Sequence, residues 1–158
     1  MHNNYLFLKH LASELKVKLL GSELLSCFSQ EKDELMLGFS TNEAEVFLKC
    51  TLKPDFSCIT VQNEFARARK NTVNLWSEIY GLKVIDISIF ENERALKINL
   101  ENEYLLIIKL FGNRPNLLVY KNNEQIAIFN NSLLSDKSLT ISDFKKNADF
   151  SFENFQNL

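Results

Sequence analysis

The sequence predicts an α+β domain: a duplicated helix–three-strand unit whose antiparallel meanders pack together as sheets. Three observations carry this reading. Apolar residues near the start recur at three- and four-residue steps, the period of one helix face. Later runs alternate apolar and polar residues, the period of half-buried strands. Gly21 and Gly81 stand 60 residues apart, each between a helical stretch and a strand.

Each element follows in order. Leu6, Leu8, Leu11, Leu15 and Leu19 line one face of a helix over residues 4–20. Asn3 or Asn4 supplies the N-cap, and Gly21 sits where a C′ glycine ends a helix. Residues 23–30 form a strand, and Glu31-Lys32-Asp33 a charged turn. Leu35, Leu37 and Phe39 mark the next strand, and Thr41-Asn42-Glu43 the next turn. Val46, Leu48, Cys50 and Leu52 mark a third strand, which Pro54 ends. Residues 53–62 read as a connection. A second helix is expected from Asn63 or Thr72 to Tyr80, with Leu75, Trp76, Ile79 and Tyr80 on its apolar face. Strands follow at 83–90 and 96–100, separated by Glu91-Asn92-Glu93. After Glu101-Asn102-Glu103 comes the dense apolar run 104–110, expected at the sheet centre. Residues 117–120 and 125–129 form a closing hairpin around Asn122-Asn123, since Asn tolerates positive φ.

The order of elements repeats, and the turns at 30–34 and 90–94 fall at matching places. A period of about 60 exceeds that of the usual solenoid repeats, so two copies of one unit are expected. Residues 1–134 form the domain. Residues 135–158 change character, with cap-type Ser, Thr and Asp and the aromatics Phe144, Phe150, Phe152 and Phe155. They read as a docking segment or the start of a linker to a following domain.

The 158 residues are 46% hydrophobic and 24% charged, ordinary globular values. A chain of this length buries roughly 70% of its unfolded surface and needs no disulfide or metal to fold. A net charge of −2 argues against a strongly basic, free-standing nucleic-acid binder. No run approaches the ~18 apolar residues of a membrane span. Met1-His2-Asn3-Asn4 has no basic n-region, so no signal peptide is expected and the cytoplasm is the expected location. Cys27, Cys50 and Cys58 lack paired metal-ligand spacing and read as small buried hydrophobes in a reducing compartment. Neither a metal nor a cofactor is expected.

Nothing reads as a catalytic centre. GxSxG, HExxH and phosphate-cradling glycine loops are absent, and the two histidines, His2 and His10, both lie near the start. Two basic features remain. Arg67, Arg69 and Lys70 cluster before the expected second helix, where they would oppose its dipole, which hints at selection for phosphate contact. Gly112-Asn113-Arg114-Pro115-Asn116 makes a tight turn between apolar strands, with Arg114 free to bind.

Lys109-Leu-Phe-Gly-Asn-Arg-Pro-Asn-Leu-Leu-Val-Tyr120 resembles the pattern E-L-M-G-R-H-S-N-I-I-L-V of the NFACT N-terminal domain. Gly112 and Asn116 match outright, while Asn113-Arg114-Pro115 replaces Arg-His-Ser. Phe90-Glu-Asn-Glu-Arg-Ala95 resembles the family's Asp-Arg element: Arg94 matches the Arg, and Glu93 replaces the Asp. Gly81-Leu-Lys-Val-Ile fits the strand entry before it, and the resemblance covers roughly residues 1–134.

This domain begins the fibronectin-binding-protein-A-like and ribosome quality-control factors. The resemblance implies a fold like the N-terminal domain of formamidopyrimidine-DNA glycosylases. It also implies one part of a longer protein that binds tRNA and the obstructed large ribosomal subunit carrying peptidyl-tRNA. Such factors support template-free tailing of stalled chains, and their Asp-Arg pair contacts the tRNA anticodon region. By resemblance, Glu93 and Arg94 would touch RNA. Arg67, Arg69, Lys70 and Arg114 are the further RNA-binding candidates, and Gly112 and Asn116 hold the motif. Glycosylase chemistry is not expected, because His2 stands where those enzymes need a proline amine. The expected role is therefore a non-enzymatic binding module. The alternatives are an adhesin domain for fibronectin or extracellular matrix, or a glycosylase-like DNA-binding domain without catalysis.

Overall fold

The computed structural model describes residues 4–112 and 114–146. The one α-helix among these residues, α1 (Tyr5–Leu19), starts at Asn4, whose side-chain oxygen accepts the Phe7 amide at 2.8 Å. Leu8, Ala12, Leu15 and Leu19 form its buried face. Leu6, expected on that face, is 74% exposed, and Ala12 takes the inward position instead. Lys16 ties the helix to the second sheet through Asp86 at 2.9 Å, and this ammonium holds the Asp86 carboxyl below its ordinary range.

The first sheet contains β1 (Glu23–Ser29), β2 (Glu34–Ser40), β3 (Glu45–Leu52), β4 (Ser57–Gln62) and the two-residue β5 (Val73–Asn74), in the order β4-β3-β2-β1-β5. The second contains β6 (Val84–Ile89), β7 (Ala95–Leu100), β8 (Tyr104–Lys109), β9 (Asn116–Lys121) and β10 (Glu124–Ile128), in the order β10-β9-β8-β7-β6. Every pairing is antiparallel. Strand β8 lies at the centre of the second sheet, as its apolar run predicts. One core joins α1 to both sheets through Leu24, Leu35, Leu37 and Leu48 of the first and Leu96, Ile98, Leu106, Ile108 and Leu117 of the second.

The two sheets share a pseudo-twofold seam that carries the 60-residue repeat. The Gly21 amide donates to the Val84 carbonyl, and the Gly81 amide donates to the Leu24 carbonyl, both at 2.8 Å. The Leu24 amide donates to Leu82, and the Val84 amide to Ser22, in the same reciprocal way. Both glycines have positive φ, +80° and +85°, the region glycine enters without a Cβ penalty. Register shifts recur at matching places, between Leu24 and Ser26 in β1 and between Val84 and Asp86 in β6.

Two expected elements differ. Residues 57–62, read as connection, form β4, because β3 offers a free edge along which six register pairs form. The second helix is not formed. Its place holds β5 and a single 3-10 turn, Ser77–Ile79, so the unit repeats in its strands and not in its helix. Asn71 and Trp76 take positive φ, which no α-helix tolerates. The backbone there bonds to the edge of β1 instead: the Leu75 amide donates to Cys27 at 2.8 Å. Phe65 is held between the rings of Phe28 and Phe47, 5.8 Å from each.

Cys27, Cys50 and Cys58 are free and buried. Burial raises the Cys27 thiol and pushes Cys50 up to about 12. We expect no reaction of these thiols with an aromatic disulfide reagent in the native protein at pH 8. All three should be titrated once the chain is unfolded. Rapid labelling of the native chain would contradict this packing.

Candidate functional site

The hairpin turns at one end of the domain bring the basic residues together. Arg67, Arg69 and Lys70 lie in the exposed loop before β5, not at a helix start, so the argument from a helix dipole does not apply to them. The loop is anchored to the β1–β2 turn, since the Ala68 amide donates to Gln30 Oε1 at 3.0 Å. Arg67 lies over the Phe28 ring at 4.1 Å and donates from Nε to Thr72. Arg69 and Lys70 are exposed and have no partner among the described residues.

The β1–β2 turn also faces the β8–β9 turn. Lys32 and Asp33 on one side, with Arg114, Asn130 and Asn131 on the other, line a cleft of about 310 Å³. Arg114 is exposed, and it also borders a second cleft of about 410 Å³ over Lys109 and Asp136. Gly112, at φ +77°, turns the chain back above the Lys109 ammonium.

Beneath these turns lies a buried polar network. Lys109 Nζ donates to Asp136 Oδ1 at 2.8 Å and to the Arg114 carbonyl at 3.1 Å. Asn116 is fully buried and uses its whole amide. Nδ2 donates to Asp136 Oδ2 at 3.0 Å and to the Asn130 carbonyl at 3.3 Å. Oδ1 accepts the Leu117 and Asn130 amides at 2.9 Å. Asn116 and Lys109 therefore set the shape of the turn that presents Arg114. Lys109 and Asp136 were not recognisable as partners, because 27 residues separate them.

The β6–β7 turn presents Arg94. Its carbonyl accepts the Leu110 amide at 2.8 Å, which fixes it beside the β8–β9 turn. Its guanidinium has no partner among the described residues. Glu93, in contrast, is only 4% exposed. Its Oε1 accepts the Arg94 amide at 2.9 Å, and its Oε2 lies 2.7 Å from Lys146 Nζ. That ammonium sits off the hydrogen-bonding direction, so the contact is an ion pair and not an aligned hydrogen bond. The Glu93 carboxylate is thus taken up by the protein and holds the turn that carries Arg94.

The site therefore collects Arg67, Arg69, Lys70, Lys32, Arg114 and Arg94 around linked turns, and it offers guanidinium and ammonium donors, with no nucleophile–base pair among the described residues. Among the described residues no group of His, Cys, Asp and Glu is placed to hold a metal. No helix among them is long and apolar enough to cross a membrane.

The chain is thus an α+β domain of two antiparallel sheets with basic residues on linked turns. The sequence matches the family described as NFACT N-terminal and middle domains over residues 4–133, and the chain belongs to that family. No curated protein matches it. Among solved structures it is similar to the N-terminal domain of the fibronectin-binding protein PavA from Streptococcus pneumoniae. That match has 21% identity and a TM-score of 0.67, covering 78% of this chain and 54% of the other. It is also similar to the fibrinogen binding protein from Staphylococcus aureus, with 17% identity and a TM-score of 0.71, covering 96% and 58%. The chain spans a little over half the length of these relatives, and at these identities the likeness is one of fold.

Proposed function

We propose that this domain is a non-enzymatic RNA-binding module of a cytoplasmic ribosome-rescue factor. It contacts tRNA and the obstructed large ribosomal subunit and so supports template-free tailing of stalled chains. Residues 1–134 are the module, residues 134–146 dock on its second sheet, and other domains of a longer protein supply most of the electrostatic grip. The observation that carries this reading is Arg94: an arginine whose guanidinium has no partner among the described residues, on a turn fixed by a buried carboxylate, at the position that resembles the family's Asp-Arg element. Its planar five-donor fork suits phosphates and the exposed base edges of a single-stranded loop. Arg114, Arg67, Arg69 and Lys70 extend the surface, and Glu93 acts through the position it gives Arg94.

The test is co-sedimentation of the full natural protein with large ribosomal subunits carrying peptidyl-tRNA. Arg94→Ala should reduce the bound fraction while the thermal midpoint falls by only a few degrees, since Arg94 is half-buried and its guanidinium has no partner among the described residues. Unchanged co-sedimentation would refute the reading. A second reading, a domain that binds host matrix protein, is favoured only by the names of the two similar structures. Saturable binding of fibronectin or fibrinogen to the native protein, lost on altering these turns, would support it.

A further inference from the structure

We propose that Lys146 is a phosphate-contacting residue of the same RNA surface, carried to Arg94 by the C-terminal strap and held there by Glu93. This rests on the RNA-binding reading above.

The strap comprises two 3-10 turns, Leu134–Ser138 and Ile141–Phe144, followed by Lys145 and Lys146. It crosses the outer face of the second sheet and is fastened along its length. Asp136 enters the buried network with Lys109 and Asn116, and its carbonyl accepts Gln125 Nε2 at 2.9 Å. The Tyr120 hydroxyl donates to the Leu139 carbonyl at 2.7 Å. Phe144 is fully buried and stacks on Phe90, with ring centres 5.2 Å apart, while Phe111 meets it edge-on at 5.9 Å. These contacts place Lys146 between the turn that carries Arg94 and the turn that carries Arg114.

The Lys146 ammonium is held from two sides. Glu93 Oε2 lies 2.7 Å away, and the Phe111 ring centre 5.7 Å away. Its side chain nevertheless remains 57% exposed. An ammonium has three donors, and an ion pair with one buried carboxylate leaves them open to a ligand on the solvent side. Glu93 is nearly inaccessible, so it cannot itself meet a negatively charged ligand, whereas the cation it holds can. Lys97 rests on the neighbouring Phe90 ring at 4.6 Å and adds positive charge to the same aromatic cluster. Glu91 is the exposed acid of the Arg94 turn. The Glu93 carboxylate thus positions Arg94 through its backbone amide and Lys146 through its side chain.

The test measures binding of bulk deacylated tRNA to the full natural protein over a series of salt concentrations, with Lys146→Gln, Lys146→Arg and Arg94→Ala. Lys146→Gln should weaken binding several-fold and lower the slope of log K against log salt by about one, the signature of one lost phosphate contact. Lys146→Arg should retain the slope. Adding Glu93→Gln should weaken binding when Lys146 is present and add little once it is replaced. If Arg94→Ala weakens binding while Lys146→Gln changes neither affinity nor slope, the role assigned to Lys146 is wrong and the RNA-binding reading stands. If neither variant changes binding, both fall.

Discussion

Asp136→Ala should lower the unfolding free energy by about 3–5 kcal/mol, the usual cost of removing one partner from a buried ion pair. Asp136 is 2% exposed, and both its oxygens are used, one by Lys109 and one by Asn116. Its removal leaves the Lys109 ammonium buried beside a single backbone carbonyl, and it strips Asn116 Nδ2 of its shorter bond. Buried donors without acceptors cost about 1–3 kcal/mol each, more when charged, so the loss concentrates at this site. Asp136→Asn should be milder, because an amide oxygen still accepts. Replacing Lys109 with Met and Asp136 with Leu together should recover much of the loss, since a buried pair is often matched by apolar residues of similar volume. Urea unfolding of the four proteins decides this. A loss below about 1 kcal/mol for Asp136→Ala would show that the network is solvated and does not shape the Arg114 turn.

Phe144→Ala should cost about 3 kcal/mol, the lower end for truncating a buried aromatic, because the strap can release without unfolding the sheets. Phe144 fills the centre of a cluster formed by Phe90, Ala95, Ile107, Leu118 and Tyr120. Without its ring the outer face of the second sheet loses its cover, and Lys146 loses its anchorage beside Glu93. Hydrogen exchange should therefore quicken in residues 134–146 and in the 90–94 turn, and much less at the Gly21–Gly81 seam. Phe144→Leu should retain most of the protection, as volume is largely kept. Exchange that rises equally throughout the domain would contradict a strap that opens by itself.

Much of the fold was legible because it is written in local periods. Alternation at Leu35, Leu37 and Phe39, and again at Leu96, Ile98 and Leu100, is the inner face of the two sheets. The glycines at 21 and 81 marked the seam because both need positive φ. The second helix misled because Trp76, Ile79 and Tyr80 have helical spacing, yet they reach the shared core from a segment that is not α-helical. β4 was hidden because it pairs only at one edge, and Val61 and Thr60 are exposed. At the candidate site, Arg94 and Arg114 were visible as residues in turns. Their surroundings were not: Lys109 meets Asp136, and Glu93 meets Lys146, across chain separations that no local pattern encodes. The uptake of the Glu93 carboxylate likewise arises from tertiary packing around Phe90 and Phe144.

The most direct measurement is the affinity of the full natural protein for deacylated tRNA, at low and at physiological salt, with and without Arg94. Arg94→Ala is expected to raise Kd about ten-fold, as one well-placed arginine contributes about 1–3 kcal/mol to nucleic-acid binding. Equal affinities for the two proteins at both salt concentrations would contradict an RNA-binding role for this turn.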